Sequence, residues 1–243
     1  AFCRTYIDSL EIYENPTPTF TPTAVSTTNI NPSSICLGET FSFADNSSSN
    51  DGNIISWEWD FGDGNTSTDE SPTHLYADAG TYDVQLIVTS DLGCIDSILS
   101  QVFVDPLPTV EFTFTNACLG IDNTYLDAST ITSGTVTSWN WDFGDGATNQ
   151  TQNPSHLYAA VGTFTTELTA TSANGCSDSF QADVDVYELP QPDFTYPSTC
   201  VNDPVDLIDN SVDGDWPINA WVWNADGQTL NGSSVQYTFT TEG

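Results

Sequence analysis

The feature that most restricts the fold is an eight-residue aromatic and acidic motif that recurs at a fixed interval. Residues 57–64 are Trp-Glu-Trp-Asp-Phe-Gly-Asp-Gly, and residues 139–146 are Trp-Asn-Trp-Asp-Phe-Gly-Asp-Gly. The central tryptophan recurs every 82 residues, from Trp59 to Trp141 and then to Trp223 in a degenerate copy. Repetition at this interval predicts a tandem array of small modules, each large enough to bury its own core.

The alternation of apolar and polar residues predicts an all-β fold. Several short segments alternate with period two between turn residues, and none has a sustained helical period, so we expect sandwiches and no helix longer than a turn. In the motif strand the packed face is predicted to carry Ile55, Trp57, Trp59 and Phe61. The same parity places Trp139 and Trp221 in the core. If these rings were exposed instead, they could stack on sugars.

The register of the repeats predicts where the modules begin and end. Residues 16–105 and 106–188 are two complete repeats, residues 1–15 are the last strand of a preceding repeat, and residues 189–243 are the first part of a further, degenerate one. Proline-bearing joints separate them, and proline stiffens such connections. We expect a window from a longer array. The alternative is a polymer in which the N-terminal strand completes the last repeat of a neighbouring copy.

The charge of the chain restricts its partners. Its 34 acidic residues face one Lys or Arg, Arg4, for a formal net charge of −33. Nucleic acid and anionic lipid are therefore excluded as partners, because both require clusters of basic residues. No apolar run is long enough to span a bilayer, so membrane insertion is not expected. A cationic partner, a divalent metal or a strongly solvated surface fits this charge.

Six cysteines occupy two kinds of position in the repeats. The early positions hold Cys36, Cys118 and Cys200, and the late positions hold Cys3, Cys94 and Cys176. Each complete repeat contains one of each kind, 58 residues apart, which predicts the disulfides Cys36–Cys94 and Cys118–Cys176 in an oxidising, extracytoplasmic setting. The spacing of zinc ligands is absent. Cys3 and Cys200 have no partner of the required kind, so their partners are left open.

The motif residues resemble those of the PKD (polycystic kidney disease) domain. The resemblance rests on Trp-x-Trp-Asp-Phe-Gly-Asp-Gly, on Pro-x-His-x-Tyr at residues 72–76 and 154–158, and on the Gly-Thr-aromatic opening of the strands at Gly80 and Gly162. It implies tandem Ig-like β-sandwiches in an extracellular protein. Bacterial modules of this kind occur in large surface adhesins, including gliding-motility adhesins of the Bacteroidetes, and beside secreted proteases and chitinases. The degenerate copy lacks the full motif.

The acidic turns of the motif are candidate metal sites. Asp60 with Asp63, and Asp142 with Asp145, place carboxylates on a glycine-rich turn that could supply oxygen ligands to calcium, and the family resemblance supports this. The alternative is that these carboxylates accept backbone hydrogen bonds within the turn. No cofactor is required in either case. His74 and His156 recur without a nucleophile or paired acid, so we interpret them as structural and expect no enzyme activity.

Several residues match modification motifs. The N-x-[ST] pattern occurs at Asn46, Asn65, Asn149 and Asn231. Ser9 and Ser97 follow an aspartate and precede an apolar residue, which resembles the O-glycosylation motif of Bacteroidetes. These six residues are candidate glycosylation sites on the surface of the array.

The sequence therefore predicts a non-enzymatic, extracellular structural or adhesive segment. In this interpretation the array is part of a stalk, a filament or a giant adhesin at the cell surface, where it spaces and presents binding regions. Its partners are further repeats of the same chain, with a homopolymer and surface polysaccharide or protein as candidates. The alternative is an accessory module that binds polysaccharide or protein in a secreted hydrolase.

Overall fold

The structure is a computed structural model that describes residues 12–24 and 33–241, and within these ranges the protein is all-β, as predicted. The first repeat contains β1 Phe20–Ala24, β2 Ser34–Cys36, β3 Thr40–Asp45, β4 Ile54–Asp60, β5 Thr66–Ser67, β6 Thr73–Leu75, β7 Gly80–Ser90 and β8 Ile95–Asp105. The second contains β9 Phe112–Phe114, β10 Ala117–Cys118, β11 Asn123–Asp127, β12 Val136–Asp142, β13 Thr148–Asn149, β14 Ser155–His156, β15 Gly162–Ser172 and β16 Ser177–Tyr187. The third contains β17 Phe194–Thr195, β18 Pro204–Asp209, β19 Val222–Ala225, β20 Gln228–Asn231 and β21 Ser234–Thr238.

The first two repeats are sandwiches with the same topology. In the first, a three-stranded sheet of order β1-β3-β6 accompanies a five-stranded sheet of order β2-β8-β7-β4-β5. In the second, the corresponding sheets have the orders β9-β11-β14 and β10-β16-β15-β12-β13. Only the short β2 and β10 run parallel to their neighbours, β8 and β16, among the pairings described. The 82-residue repeat in sequence is thus a repeat of the complete strand order.

The long hairpin of β7 and β8 forms the centre of the first core. Its register pairs Leu86 with Ile98 and Tyr82 with Val102, so alternate residues of both strands point into the sandwich. Val84, Leu86 and Val88 are fully buried, which confirms the alternation predicted for this strand. The corresponding residues of β15 include the buried Leu168 and Ala170, at the same positions of an 11-residue strand. The hairpin therefore fixes which face of each large sheet is covered.

The motif strand β4 follows the predicted parity at its C-terminal end and departs from it at its N-terminal end. Trp59 and Phe61 are buried, but Ile55 is 62% exposed, so its predicted place in the core is wrong. The cause is a β-bulge: Ile54 pairs with Ser90 and Ser56 pairs with Thr89, which leaves Ile55 as an extra residue. Ile54 packs against the core in its place.

The third repeat has a smaller set of strands. Its described residues form one sheet of order β17-β18-β21 and one two-stranded sheet of β19 and β20. Val205 and Leu207 are buried, whereas Phe194 is 50% exposed. An apolar cleft of about 840 Å³ lies beside Phe194, Trp221 and Trp223. Counterparts of β7 and β8 are not among the described strands of this repeat.

The chain divides into two compact units that do not coincide with the repeats. The first comprises residues 1–111, 129–139 and 169–179, and the second comprises residues 112–128, 140–168 and 180–243. Two segments of the second repeat, each a loop with the adjoining ends of strands, therefore belong to the same compact unit as the first repeat and the proline-containing segment that follows it. Among the described residues there is no helix that is long and apolar enough to span a membrane.

Candidate functional site

The motif turn after β4 is held by hydrogen bonds from its own backbone. Asp60 Oδ1 accepts from the Gly62 amide at 2.9 Å, and Asp63 Oδ1 accepts from the Asn65 amide at 3.0 Å. Gly62 and Gly64 have φ values of +79° and +92°, which residues with a Cβ adopt only at a cost. The sequence Asp-x-Gly-Asp-Gly thus encodes two consecutive side-chain-capped turns.

His74 attaches this turn to the core. Its Nε2 lies 2.8 Å from Asp63 Oδ2, and its ring stacks on Phe61 with centroids 4.1 Å apart and planes 3° apart. The edge of His74 contacts Tyr76, whose hydroxyl donates to the Phe61 carbonyl oxygen at 3.0 Å. Histidine, tyrosine, phenylalanine and aspartate therefore form one cluster, which we call the corner.

The second repeat builds the same corner. His156 Nε2 lies 2.8 Å from Asp145 Oδ2, and its ring stacks on Phe143 at 4.1 Å. Tyr158 donates to the Phe143 carbonyl oxygen at 3.1 Å, and the Gly144 amide donates to Asp142 Oδ1 at 2.9 Å. The structure thus brings together the predicted acidic residues and the predicted histidines, which the sequence did not link to each other.

The corner carboxylates have lowered pKa values. Partial burial alone would raise the pKa of Asp63, but the Asn65 amide and the His74 ring hydrogen-bond its charged form and outweigh the burial, so the net pKa lies below the ordinary value. In Asp145 burial is likewise outweighed by the Ala147 amide and His156. Burial raises the pKa of the Tyr76 hydroxyl well above its ordinary value, so it remains a proton donor to the Phe61 carbonyl.

The motif tryptophans hold the core, and the preceding ones lie at its edge. Trp59 and Trp141 are at most 1% exposed, and their indole nitrogens donate to backbone oxygens at 2.9 and 3.0 Å. Trp57 is half-buried, packs against the first core and donates to Asp45 Oδ2 at 2.8 Å. Trp221 makes the corresponding bond to Asp209 at 2.7 Å. These rings pack against their own repeats instead of forming a row of exposed platforms for sugars.

The calcium prediction concerns carboxylates that already accept hydrogen bonds. Both oxygens of Asp63 accept from Asn65 or His74, and one oxygen of Asp60 accepts from Gly62. Asp45 accepts from Trp57 and Ser47. Within the described ranges no three His, Cys, Asp or Glu residues form a group that could hold a metal ion. Calcium binding at Asp60, Asp63, Asp142 and Asp145 remains a prediction.

The candidate glycosylation sites differ in their surroundings. Asn46 and Asn65 donate side-chain hydrogen bonds to Thr21 and Asp63, whereas Asn149 Oδ1 accepts from Thr151. Asn231 ends β20, and Ser97 is exposed on β8 with its amide donating to Asp96. Ser9 and Cys3 lie outside the described residues. Modification at these positions remains a prediction.

The predicted disulfide pairing is wrong, because Cys36 is bonded to Cys176, with a Cα–Cα distance of 5.5 Å. Cys94, Cys118 and Cys200 are not in disulfides within the described residues. The reason is the length of the last strand: Cys36 pairs with Asp105 at its end, whereas Cys94 directly precedes its start. Eleven strand residues separate these positions by about 36 Å, and a disulfide needs Cα atoms within about 7 Å.

One surface was missed by the sequence interpretation. The outer face of the large sheet in the first repeat bears Ile95, Leu99 and Phe103, which are 58%, 62% and 38% exposed. The corresponding residues of the second repeat are Ser177, Gln181 and Asp185. The signal was available in the 82-residue register, because apolar residues occupy the outward positions of this strand in only one of the two complete repeats.

Comparison with known proteins identifies the modules. The family model described as PKD domain matches residues 21–104 and 106–186. The pre-pro-metalloprotease PrtV of Vibrio cholerae is 39% identical over 103 residues, which cover 41% of this chain and 11% of that protein. A microbial collagenase of Vibrio alginolyticus is 41% identical over 87 residues, or 35% of this chain and 10% of that protein. The chain thus spans about a tenth of the length of the curated relatives it matches.

One solved structure is also similar in sequence to part of this chain. The PKD1 domain of the Vibrio cholerae metalloprotease PrtV is 35% identical, covers 37% of this chain and 98% of that chain, and has a TM-score of 0.29. The sequence relatives include a metalloprotease and collagenases, which favours the accessory-module alternative over the adhesin interpretation. Because the family model matches more than half of the sequence in two successive copies, the chain belongs to the PKD domain family.

Proposed function

We propose that the chain is a non-catalytic accessory segment of a secreted, extracellular hydrolase that acts on protein. The observation that supports this most directly is its sequence similarity to parts of a metalloprotease and of collagenases from Vibrio and Bacillus. In those proteins the matched segment is a small part of the whole chain. In this chain the corner residues of both repeats hold a turn against the core, which is a structural role. The role of the segment is to position a catalytic region on its substrate.

The outer sheet face of the first repeat is the contact surface in this proposal. Its members lie on one face because the register pairs Gln85 with Leu99 and Thr81 with Phe103, outside the core. An exposed apolar strip on a strongly acidic module suits a protein surface with apolar and basic groups. Fibrillar collagen presents such a surface, and the collagenase relatives make it the first ligand to test.

Cosedimentation of the 243-residue chain with insoluble type I collagen fibrils tests this surface. We expect saturable binding, weakened at least tenfold by the double substitution Leu99→Gln and Phe103→Asp, which installs the residues of the second repeat. Leu126→Gln is the matched control, since Leu126 is 57% exposed but lies on β11 of the second repeat. Equal binding by all three proteins would reject this face. Binding by none of them, to collagen or to insoluble polysaccharide, would reject the accessory role.

A spacing role in a surface adhesin, stalk or filament is the second candidate. It is favoured by one observation, the disulfide that joins the first repeat to the second, because such a bond restrains successive modules. The net charge of −33 adds mutual repulsion between modules. Electron microscopy of native material tests this role: we expect long thin arrays or homopolymeric filaments, and isolated multidomain enzymes would reject it.

A further inference from the structure

The two cysteines of a complete repeat lie at opposite ends of its last strand. In the first repeat Cys36 pairs with Asp105 at the end of β8, and Cys94 precedes its first residue. In the second repeat Cys118 pairs with Tyr187 at the end of β16, and Cys176 precedes its first residue. An early cysteine therefore cannot reach the late cysteine of its own sandwich, so a disulfide at either position needs a partner from another repeat.

The observed disulfide shows which repeat supplies that partner. Cys36 is the early cysteine of the first repeat, and Cys176 is the late cysteine of the second. Both belong to the first compact unit, where Asn174 Nδ2 also donates to Asp105 Oδ1 at 2.7 Å. The bond therefore joins the C-terminal end of the last strand of one repeat, where Cys36 lies, to the turn before the last strand of the next repeat. The proline-containing segment between the two repeats begins at this end of β8.

The unbonded late cysteine has the same backbone environment as the bonded one. The Cys94 carbonyl accepts from the Ser90 amide at 2.9 Å, and the Cys176 carbonyl accepts from the Ser172 amide at 2.8 Å. The Cys94 and Cys176 amides donate to the hydroxyl oxygens of Ser90 and Ser172, each at 3.2 Å. Cys94 thus occupies a turn that already has the form found in the bonded partner, and its side chain is partly exposed.

The unbonded early cysteine also matches its bonded counterpart. The residue after each cysteine donates its amide to the last strand at 2.8 Å, Leu37 to Asp105 and Leu119 to Tyr187. The Cys36 and Cys118 carbonyls each accept a turn hydrogen bond at 3.0 Å, from Glu39 and Ile121. Cys118 is therefore positioned as Cys36 is, without its disulfide.

Residues of the third repeat lie beside the C-terminal end of β16, the last strand of the second repeat. Within the second compact unit Trp216 makes an edge contact with Tyr187 at 6.0 Å, and the Glu188 amide donates to Asp215 Oδ2 at 2.5 Å. Trp216 lies in the loop that corresponds by register to the loop at Gly134 in the second repeat. The third repeat therefore has residues next to Tyr187, the strand partner of Cys118. A disulfide at Cys118 would need a late cysteine in that repeat.

We propose that cysteine-bearing PKD repeats of this type form a disulfide ladder, in which the early cysteine of each repeat bonds the late cysteine of the next. Cys36–Cys176 is one rung. Where a following repeat carries a late cysteine, Cys118 bonds it, and where a preceding repeat carries an early cysteine, Cys94 bonds it. The ladder ties each module covalently to its neighbours at both ends and is independent of whether the array serves a hydrolase or an adhesin.

Each rung forms by thiol–disulfide exchange with an oxidised small-molecule disulfide. The Cys118 thiolate attacks that disulfide, and one small thiol leaves. The late cysteine thiolate then attacks the mixed disulfide at the Cys118 sulfur and displaces the second small thiol. Two protein thiols lose two protons and two electrons, and the oxidant is reduced to two thiols. An oxidising, extracytoplasmic compartment provides such an oxidant.

Mapping of the oxidised 243-residue chain tests the pairing directly. The chain has one Lys or Arg, so free thiols are alkylated and the protein is digested with Asp-N or Glu-C instead of trypsin. We expect a peptide pair linking Cys36 to Cys176, and alkylated Cys94 and Cys118. Peptide pairs linking Cys36 to Cys94 or Cys118 to Cys176 would overturn the proposal.

Insertion of a repeat tests the ladder itself. A second copy of residues 106–187 is placed directly after Tyr187, so that Cys118 is followed by a repeat with a late cysteine. The copy alone carries Cys118→Ser and Ser177→Thr, so that it has no early cysteine and its late-cysteine peptide differs in mass from the original one. We expect a new peptide pair linking Cys118 to the inserted copy of Cys176, and alkylation of Cys118 reduced at least tenfold. In the matched control the inserted late cysteine is replaced by serine, and Cys118 stays alkylated. A free Cys118 in the insertion variant, with the inserted strands protected in hydrogen exchange, would overturn the proposal.

A variant of the original chain decides the matter if the inserted repeat does not fold. In Cys36→Ser the late cysteine of the second repeat loses its partner while the chain length is unchanged. The ladder predicts that Cys176 becomes alkylated together with Cys94 and Cys118. A disulfide between Cys118 and Cys176 in this variant would show that the two ends of one sandwich can be joined, and the ladder would be rejected.

Discussion

The first two repeats have the same corner but different cores. The corner distances agree closely, with 2.8 Å from histidine to aspartate and 4.1 Å between the stacked rings in both. The cores differ in polarity at three buried positions. Phe41, Phe43 and Val84 of the first repeat correspond to Asn123, Tyr125 and Thr166 of the second.

The polar core of the second repeat is satisfied except at one atom. Tyr125 and Tyr158 hydroxyls are 2.8 Å apart, and Thr166 Oγ1 lies 3.1 Å from the Tyr158 hydroxyl. Asn123 Nδ2 donates to the Thr115 carbonyl oxygen. The side-chain oxygen of Asn123, Oδ1, is buried without a hydrogen-bond partner among the described residues. The difference teaches that the sandwich accepts polar core residues that bond to one another, while the corner is reproduced residue by residue.

The largest predicted effect on the free energy of unfolding is that of replacing the first glycine of the corner turn, and it should be equal in the two repeats. A Cβ on Gly62 would lie 2.6 Å from the Asp83 carbonyl oxygen, and one on Gly144 would lie 2.5 Å from the Thr165 carbonyl oxygen. We expect Gly62→Ala and Gly144→Ala each to lower the free energy of unfolding by about 3 kcal/mol or more, since both strain and overlap are involved. Hydrogen exchange measured by mass spectrometry reports the loss separately for each repeat.

Gly64 and Gly146 provide the matched controls, because both have φ of +92° and no atom within 4 Å of an added Cβ. Gly64→Ala and Gly146→Ala should cost only the left-handed backbone strain, about 1 kcal/mol. Equal effects of Gly62→Ala and Gly64→Ala would contradict this explanation. They would show that the nearby Asp83 carbonyl oxygen is not the reason for glycine at position 62.

The second prediction separates the two cores. Tyr76→Phe removes one hydrogen bond, to the Phe61 carbonyl oxygen, and should cost about 1–2 kcal/mol. Tyr158→Phe leaves the Phe143 carbonyl, the Tyr125 hydroxyl and the Thr166 hydroxyl without this partner, and should cost about 3 kcal/mol. Denaturant unfolding of both variants measures the difference.

Thr166→Val tests the origin of that difference, since it installs the residue of the first repeat at this position. In the Thr166→Val background the cost of Tyr158→Phe should fall toward that of Tyr76→Phe. An unchanged cost would show that the threonine hydroxyl does not take part in the network.

The strands of the sandwiches could be predicted from the sequence better than the covalent connections between the repeats. Alternation identified β7 and the motif strand because burial of one face imposes period two, but it could not reveal the bulge that exposes Ile55. Equal cysteine spacing suggested pairs within each repeat, because spacing carries no information about which end of a strand each residue occupies. Asp63 and His74 were both singled out, yet their contact depends on a turn geometry that the sequence pattern does not express.

The third prediction concerns acid, and here the two repeats should behave alike. The pKa values of Asp63 and Asp145 are lowered in the folded state, so their ionised forms contribute stability above the unfolded value of about 4. That contribution is lost as the pH falls below about 4 through the lower folded pKa. Thermal unfolding between about pH 5 and pH 2 should show a decrease that is smaller in the double variant Asp63→Asn and Asp145→Asn.

Asp122→Asn is the control for this experiment, since Asp122 is exposed and lies directly before β11, outside both corners. It should leave the pH dependence almost unchanged. A pH profile that is the same in the double variant as in the original chain would show that the corner carboxylates are not linked to folding.

The smallest predicted effect is that of calcium. Calcium requires six to eight oxygen ligands, and in both repeats the corner aspartates already accept hydrogen bonds from backbone amides and from a histidine. Binding would have to break these bonds, so we expect about 5 mM calcium to raise the melting temperature by no more than the same concentration of magnesium, which screens the net charge of −33 equally. A larger rise with calcium alone, abolished by Asp63→Asn in the first repeat and by Asp145→Asn in the second, would instead make the shared corner a metal site.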